Sequence, residues 1–174
     1  PQASITYATR GMEPMRGFDH LVPILKNLLL FDSSRSAVIG GKDEAKYRPL
    51  PKGHPSMGAW AKDIFSKACL EDRVFWPGRL PFDEYRDFLT GSGLHIYLTR
   101  PFVPSWSLLE AMACGCLLVV SDIEATREFL GVGDDAAGLL IDHKNHVSAC
   151  DSIEALLSDP DRQKELRMRA RQRS

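Results

Sequence analysis

The chain is 174 residues long, 44% hydrophobic and 26% charged, with a formal net charge of −1. That length fits one domain with a real core, and the composition is ordinary for a soluble globular chain. The near-zero charge removes the electrostatic case for a nucleic-acid partner or an anionic membrane surface. No apolar run reaches the ~20 residues of a membrane span; Leu25–Phe31 is too short and carries Asn27.

Ser4–Ala8 (SITYA) is rich in strand formers and is followed by a polar turn, TRGMEPMRG. Phe18, Leu21, Val22, Leu25, Leu28 and Leu29 then recur at helical spacing, with Pro23 in the first turns, where it disrupts least. Ser36–Ile39 reads as the next strand, ending in Gly40–Gly41, and the three prolines of Tyr47–Pro55 make a loop. Gly58–Cys69 reads as a helix, Arg73–Trp76 as a short strand and Pro81–Leu89 as a helix. Leu94–Thr99 (LHIYLT) is a strand.

Pro101 and Pro104 break regular structure after it, and either Ser105 or Ser107 can cap a helix over the good helix formers Leu108–Ala113. Cys116–Val120 is a continuous apolar run, expected of a strand covered on both faces. Glu124–Leu130 is helical, Ala137–Ile141 a strand, Val147–Leu157 an amphipathic helix and Asp159–Gln172 a charged one. The basic end Arg167–Arg173 reads as a cationic helix terminus. This alternation predicts an α/β fold with a parallel sheet and helices on both faces, whose ligand lies beyond the carboxyl ends of the strands.

There is no secretory signal pattern. A chain that begins at Pro1, in the approach to a strand and without an initiator methionine, is expected to continue a longer one. Cys69, Cys114, Cys116 and Cys150 lack the paired spacing of a zinc site. Cys114 and Cys116 read as small buried packing residues, which fits a reducing, intracellular setting.

Several residues carry candidate chemistry. Arg10 and Arg16 flank Glu13–Pro14 in the first loop after a strand, and two guanidinium groups there can clamp a diphosphate or simply be surface charges. Gly40–Gly41–Lys42 lacks the length and hydroxyl of a P-loop; its glycines let the backbone turn sharply or approach a ligand. Glu110 sits in the first turns of a helix whose N-terminus suits a phosphate, and is either a surface charge or an acceptor for ribose hydroxyls. Asp122, Glu124 and Glu128 read as solvated acids at a helix start before a metal site. His20, His54, His95, His143 and His146 are dispersed, and His95 is expected to be a strand side chain with a backbone partner. No dinucleotide fingerprint, nucleophile elbow or zinc-protease motif is present.

Taken in order, these segments resemble the C-terminal, nucleotide-sugar-binding domain of retaining glycosyltransferases of group 1 (family 4). The resemblance runs through Arg10 to Arg16–Gly17, AVIGG, VFWPG at Val74–Gly78 and FDEYRDFL. LEAMACG follows at Leu109–Gly115, then Ser121–Asp122, Glu128, GLLID at Gly138–Asp142, LLSDP at Leu156–Pro160 and the arginine-rich Arg167–Arg171. LEAMACG and LLSDP in this order make the signal specific.

The resemblance implies a Rossmann-like, three-layer α/β/α domain, the C-terminal half of a GT-B fold, with residues 1–174 as one donor-binding domain and the N-terminal acceptor domain outside this chain. It implies that Arg10 and Arg16 hold the diphosphate of a nucleoside diphosphate sugar and that Glu110 binds the ribose. Arg79 and Leu80 match where the base meets the backbone, Gly40 lies at a ligand-facing strand end, and backbone amides from Ser105 through Trp106 to Ser107 face phosphate. Leu109 and Phe102 complete the lining. Phe102 stands where the family has the first glutamate of its paired motif, and Val103, Pro104 and Ser105 replace Gly-Phe-Gly; both departures bear on sugar identity and on activity. The implied reaction is retaining transfer of a hexosyl group to an acceptor hydroxyl, in polysaccharide biosynthesis, with no cofactor and no DxD-like metal motif. The isolated domain is expected to bind nucleotide and catalyse little. The implied location is the cytoplasm, free or peripheral to the inner face of the membrane. The alternatives are a catalytically degenerate nucleotide-binding or scaffold module of the same fold and, more remotely, a non-hydrolysing sugar-nucleotide epimerase, for which LEAMACG is not a signature.

Overall fold

The computed structural model describes residues 4–44, 50–101 and 104–174. Six strands, β1 (Ser4–Gly11), β2 (Ser36–Lys42), β3 (Val74–Gly78), β4 (Leu94–Tyr97), β5 (Leu118–Ser121) and β6 (Leu139–Ile141), form one sheet in the order β3-β2-β1-β4-β5-β6. Every neighbouring pair is parallel. Around it lie α1 (Phe18–Phe31), α2 (Met57–Lys67), α3 (Phe82–Thr90), α4 (Trp106–Ala113), α5 (Glu124–Leu130), α6 (His146–Leu157) and α7 (Pro160–Arg173).

The strand side chains alternate between two cores because successive Cβ atoms point to opposite faces. Leu94, Ile96 and Val119 join α1, α2 and α6 on one face, whereas Tyr97, Leu118 and Val120 join α3, α4 and α5 on the other. The last helix, α7, closes the edge between them, with Leu166 in the first core and Ala170 in the second. Its Arg167 donates to the carbonyls of Gly93 (2.6 Å) and Gly115 (3.2 Å), tying the helix to the amino ends of β4 and β5. At the opposite side, Arg35 forms a two-armed ion pair with Glu154, one arm of 2.7 Å, joining the α1–β2 turn to α6. This is the three-layer α/β/α architecture that the alternation of elements predicts.

Both β1 and β2 run three residues beyond their apolar segments. The ladder survives because Gly11 pairs with Lys42 after a register shift between Ala8 and Gly11. So Arg10 stands on an irregular strand end, not in the following loop, and Gly40 and Gly41 lie inside β2. A bulge of this kind re-aims a side chain at a sheet rim. The special backbone demand falls on Gly41 alone: its φ is +127°, and an added Cβ would lie 2.0 Å from the Thr9 carbonyl oxygen. An alanine Cβ at Gly40 would meet nothing nearer than 3.8 Å. Gly41→Ala is expected to cost about 2 kcal/mol, and Gly40→Ala well under half of that. Urea melts of the two variants check this, and equal losses would contradict it.

Candidate functional site

The carboxyl ends of β1, β2, β3 and β4 open into one cleft of about 950 Å³. A shallower recess of about 340 Å³, lined by Met12, Lys62 and Trp76, adjoins it and shares Gly41, Lys42 and Arg79. The large cleft brings together nine of the expected residues: Arg10, Arg16, Gly40, Arg79, Leu80, Ser105, Trp106, Ser107 and Glu110. Leu109 is not among them. It is half-buried against the second core, because its neighbour Glu110 takes the cleft-facing position and a step of one residue on a helix turns the side chain by about 100°. Phe102 lies outside the described residues.

One wall is the turn between β1 and α1. Pro14–Arg16 forms a single 3-10 turn that Gly17 ends at φ +64°, and an added Cβ there would lie 2.5 Å from the Leu98 Cβ. Beneath it, the Tyr7 hydroxyl donates to the Arg16 carbonyl at 2.8 Å. Tyr7 is buried, which pushes its phenol well above the ordinary range and keeps it a donor. The turn is therefore held from below while the Arg16 side chain enters the cleft. Arg16 Nη1 is buried and has no hydrogen-bond partner among the described residues, and the same is true of Glu13 Oε2. A buried donor without a partner costs about 1–3 kcal/mol, and an anion in the cleft would satisfy it. Arg10 reaches the same space from an exposed position.

The opposite wall is α4. Ser105 occupies the N-cap position, but no side chain caps the helix. The Ser105 hydroxyl instead meets Ser107 Oγ and lies 3.3 Å from Tyr97 Oη, and the Tyr97 hydroxyl accepts from the Ser105 N–H at 2.8 Å. Of the two serines able to cap, neither does so. The start of α4 is left with its positive end facing the cleft. Trp106, the first helical residue, is 81% exposed on the rim. Glu110 follows four residues later, one turn further in on the same face. Tyr85 of α3 completes this wall, and nothing in the sequence of that helix singles it out.

Other chemistry resolves elsewhere. Asp122 is engaged by Arg127 through two arms, one of 2.9 Å, which lowers its pKa. Among the described residues no group of three or more His, Cys, Asp or Glu is arranged to hold a metal. Cys116 is buried, its thiol pushed up to about 12 by desolvation and donating to the Leu89 carbonyl at 3.2 Å, whereas Cys114 is only half-buried. The histidines are less dispersed than their spacing suggests. His20 Nδ1 lies 3.0 Å from His146 Nε2, and the His143 ring stands 5.0 Å from that of His20. His95 pairs with a side chain, Thr6 Oγ1 at 2.8 Å, and not with the backbone.

The sequence matches the family Glycosyl transferases group 1 over residues 5–173. The chain belongs to that family. No curated protein matches it at a significant level. Solved structures that share its fold include the following three. HepE of Anabaena, in complex with UDP and glucose, superposes with a TM-score of 0.80 at 18% identity, covering 99% of this chain and 44% of HepE. The C-terminal domain of LpcC from Francisella tularensis gives 0.80 at 18% identity, covering 99% and 84%. TarM of S. aureus gives 0.78 at 20% identity, covering 99% and 32%. The chain thus spans less than half the length of HepE and TarM. Among the described residues no helix is long and apolar enough to cross a membrane.

Proposed function

We propose that this chain is the donor-binding half of a glycosyltransferase, holding a nucleoside diphosphate sugar whose hexosyl group is transferred, with retention, to an acceptor hydroxyl. The observation that carries this reading is that Arg10, Arg16 and the uncapped start of α4 line one cleft, with Arg16 Nη1 left without a partner among the described residues. Guanidinium forks and helix-terminal N–H groups are what a diphosphate needs on two sides. Glu110, one turn deeper than the helix start, then meets the ribose, and the base lies over Arg79 and Leu80. The HepE structures with UDP and with UDP-glucose support this assignment by fold.

In the reaction, negative charge grows on the departing diphosphate. Arg10, Arg16 and the α4 amides are already aimed at it, and each preorganised donor of this sort contributes a few kcal/mol to the transition state. An acceptor-binding N-terminal domain would complete the active site, so this domain alone binds donor and transfers little. Work in polysaccharide synthesis, in the cytoplasm, fits such a domain. Phe102 at the place of the family's first glutamate keeps a second reading open, a nucleotide-binding module that has lost transfer; donor hydrolysis by the full-length protein separates the two.

Calorimetric titration with UDP, GDP and ADP, against uridine and guanosine, tests the reading. One diphosphate is expected to bind and its nucleoside to bind far more weakly. Glu110→Ala is expected to weaken the diphosphate about tenfold or more, since it removes charge-assisted hydrogen bonds of about 1.5–3 kcal/mol. An unchanged affinity would remove Glu110 from the ribose site.

A further inference from the structure

The Tyr85 hydroxyl lies in the cleft, and the donor-site reading gives it no role. It sits on α3, in the wall that also carries Glu110. Its Oη is buried and makes no well-aligned hydrogen bond among the described residues, although the Glu110 carboxylate is near enough to draw on its proton. The ring is fixed from behind, stacked on Phe88 with centroids 6.2 Å apart and planes 20° from parallel. The Glu110 carboxylate is close enough that its charge adds to burial in raising the phenol well above its ordinary pKa, so the hydroxyl keeps its proton at every physiological pH. A neutral phenol both donates and accepts, whereas an ionised carboxylate only accepts.

Glu110 alone can receive the protons of two vicinal hydroxyls but can offer them nothing. A phenol beside it supplies the missing half: it donates to a hydroxyl oxygen while the carboxylate takes that hydroxyl's proton. We infer that Tyr85 and Glu110 form a donor–acceptor pair that reads a ribose hydroxyl, so that the cleft selects ribonucleoside diphosphates over their deoxy counterparts. The inference rests on the donor-site reading and adds Tyr85 to it as a specificity-determining residue. The physical reason for selectivity is the buried hydroxyl itself. A well-placed ribose hydroxyl satisfies it, whereas a deoxyribose leaves it with only the poorly aligned Glu110 carboxylate, and sites built to bond a hydroxyl reject ligands that lack it.

The test is calorimetric titration of the chain and of Tyr85→Phe with UDP, 2′-deoxy-UDP and 3′-deoxy-UDP, repeated with the guanine and adenine series if uridine does not bind. The phenylalanine variant keeps the ring and its stacking on Phe88; its melting temperature confirms the fold. The chain is expected to prefer the ribonucleotide over one of the deoxy forms by about tenfold, and Tyr85→Phe to reduce that ratio to about two- to threefold. Loss of a merely structural hydroxyl would weaken both ligands alike and leave the ratio unchanged. A variant that binds the ribonucleotide with the ratio of the unmodified chain overturns the role of Tyr85 and leaves the donor site standing. An unmodified chain that shows no preference for the ribonucleotide overturns it as well. Failure of the unmodified chain to bind any ribonucleoside diphosphate overturns the donor-site reading and this inference together.

Discussion

Replacing Arg10 and Arg16 together by alanine is expected to weaken nucleoside diphosphate binding by 100-fold or more while moving the affinity of the nucleoside by less than about threefold. A hydrogen bond to a charged group is worth about 1.5–3 kcal/mol, and two such contacts removed together reach ~3 kcal/mol or more, at 1.4 kcal/mol for each tenfold. The two residues differ in what their loss does to the free protein. Arg10 is exposed and its removal leaves nothing stranded. Arg16 projects a buried Nη1 that has no partner, so its truncation also relieves an existing penalty, and the unbound domain is not expected to lose stability. Lysine at both positions restores charge without the planar fork and is expected to recover only part of the affinity. Calorimetry with the diphosphate and its nucleoside decides the matter. A double variant that weakens both ligands equally would place the arginines on the base or ribose and not on the phosphates.

The second large effect is on stability against acid. His95 is wholly buried in β4, and burial lowers its pKa from 6.5 to about 4. Its Nδ1 meets Thr6 Oγ1, which also meets Ser92 Oγ at 2.6 Å, while its Nε2 has no partner among the described residues and no acid beside it to stabilise a second proton. The folded chain therefore keeps His95 neutral where the unfolded chain protonates it. The sign follows: unfolding takes up a proton as pH falls below 6.5, so stability is full above that value and declines down to about pH 4, where the folded state begins to titrate too. The loss from this one residue is about 2 kcal/mol by pH 5 and about 3 kcal/mol by pH 4.

His20 and His143 add to it in the same direction. Burial lowers both, with His20 opposed by Asp19 and further lowered by His146, and His143 further lowered by His20. Urea unfolding at pH 7.5, 6, 5 and 4.5 is expected to show a decline that His95→Leu flattens substantially. That variant also removes the orphaned Nε2 and leaves Thr6 bonded to Ser92, so at neutral pH it is expected to lose little. An equally steep decline in His95→Leu would show that His95 is not the group taking up the proton.

Much of this was legible in the chain. The apolar run at Cys116–Val120 is expected of a strand covered on both faces, and its last three residues open β5 (Leu118–Ser121) between the two cores. The helical spacing over Phe18–Leu30 is α1, and Glu124–Leu130 is α5 to the residue. Such patterns survive translation into structure because they depend on neighbours within one turn or one pleat. LEAMACG marked the helix that faces the cleft, and Arg10 and Arg16 marked its other wall.

What the tertiary structure decided is which side chains meet. Whether Leu109 or Glu110 faces the cleft depends on how α4 is rotated against the second core. Nothing in the spacing of FDEYRDFL shows that Tyr85, rather than its neighbours, enters the cleft with Glu110, a residue 25 positions away. Likewise His20 and His146 touch across 126 positions only because α6 returns to lie against α1. Sequence by itself determined the class of fold, the order of its elements and the family. The sheet order β3-β2-β1-β4-β5-β6 and the crossovers it requires decided the convergence of β1, α3 and α4 on one cleft. The reason is physical: local periodicity is set by covalent neighbours, whereas a site is set by contacts that close only when the layers are packed.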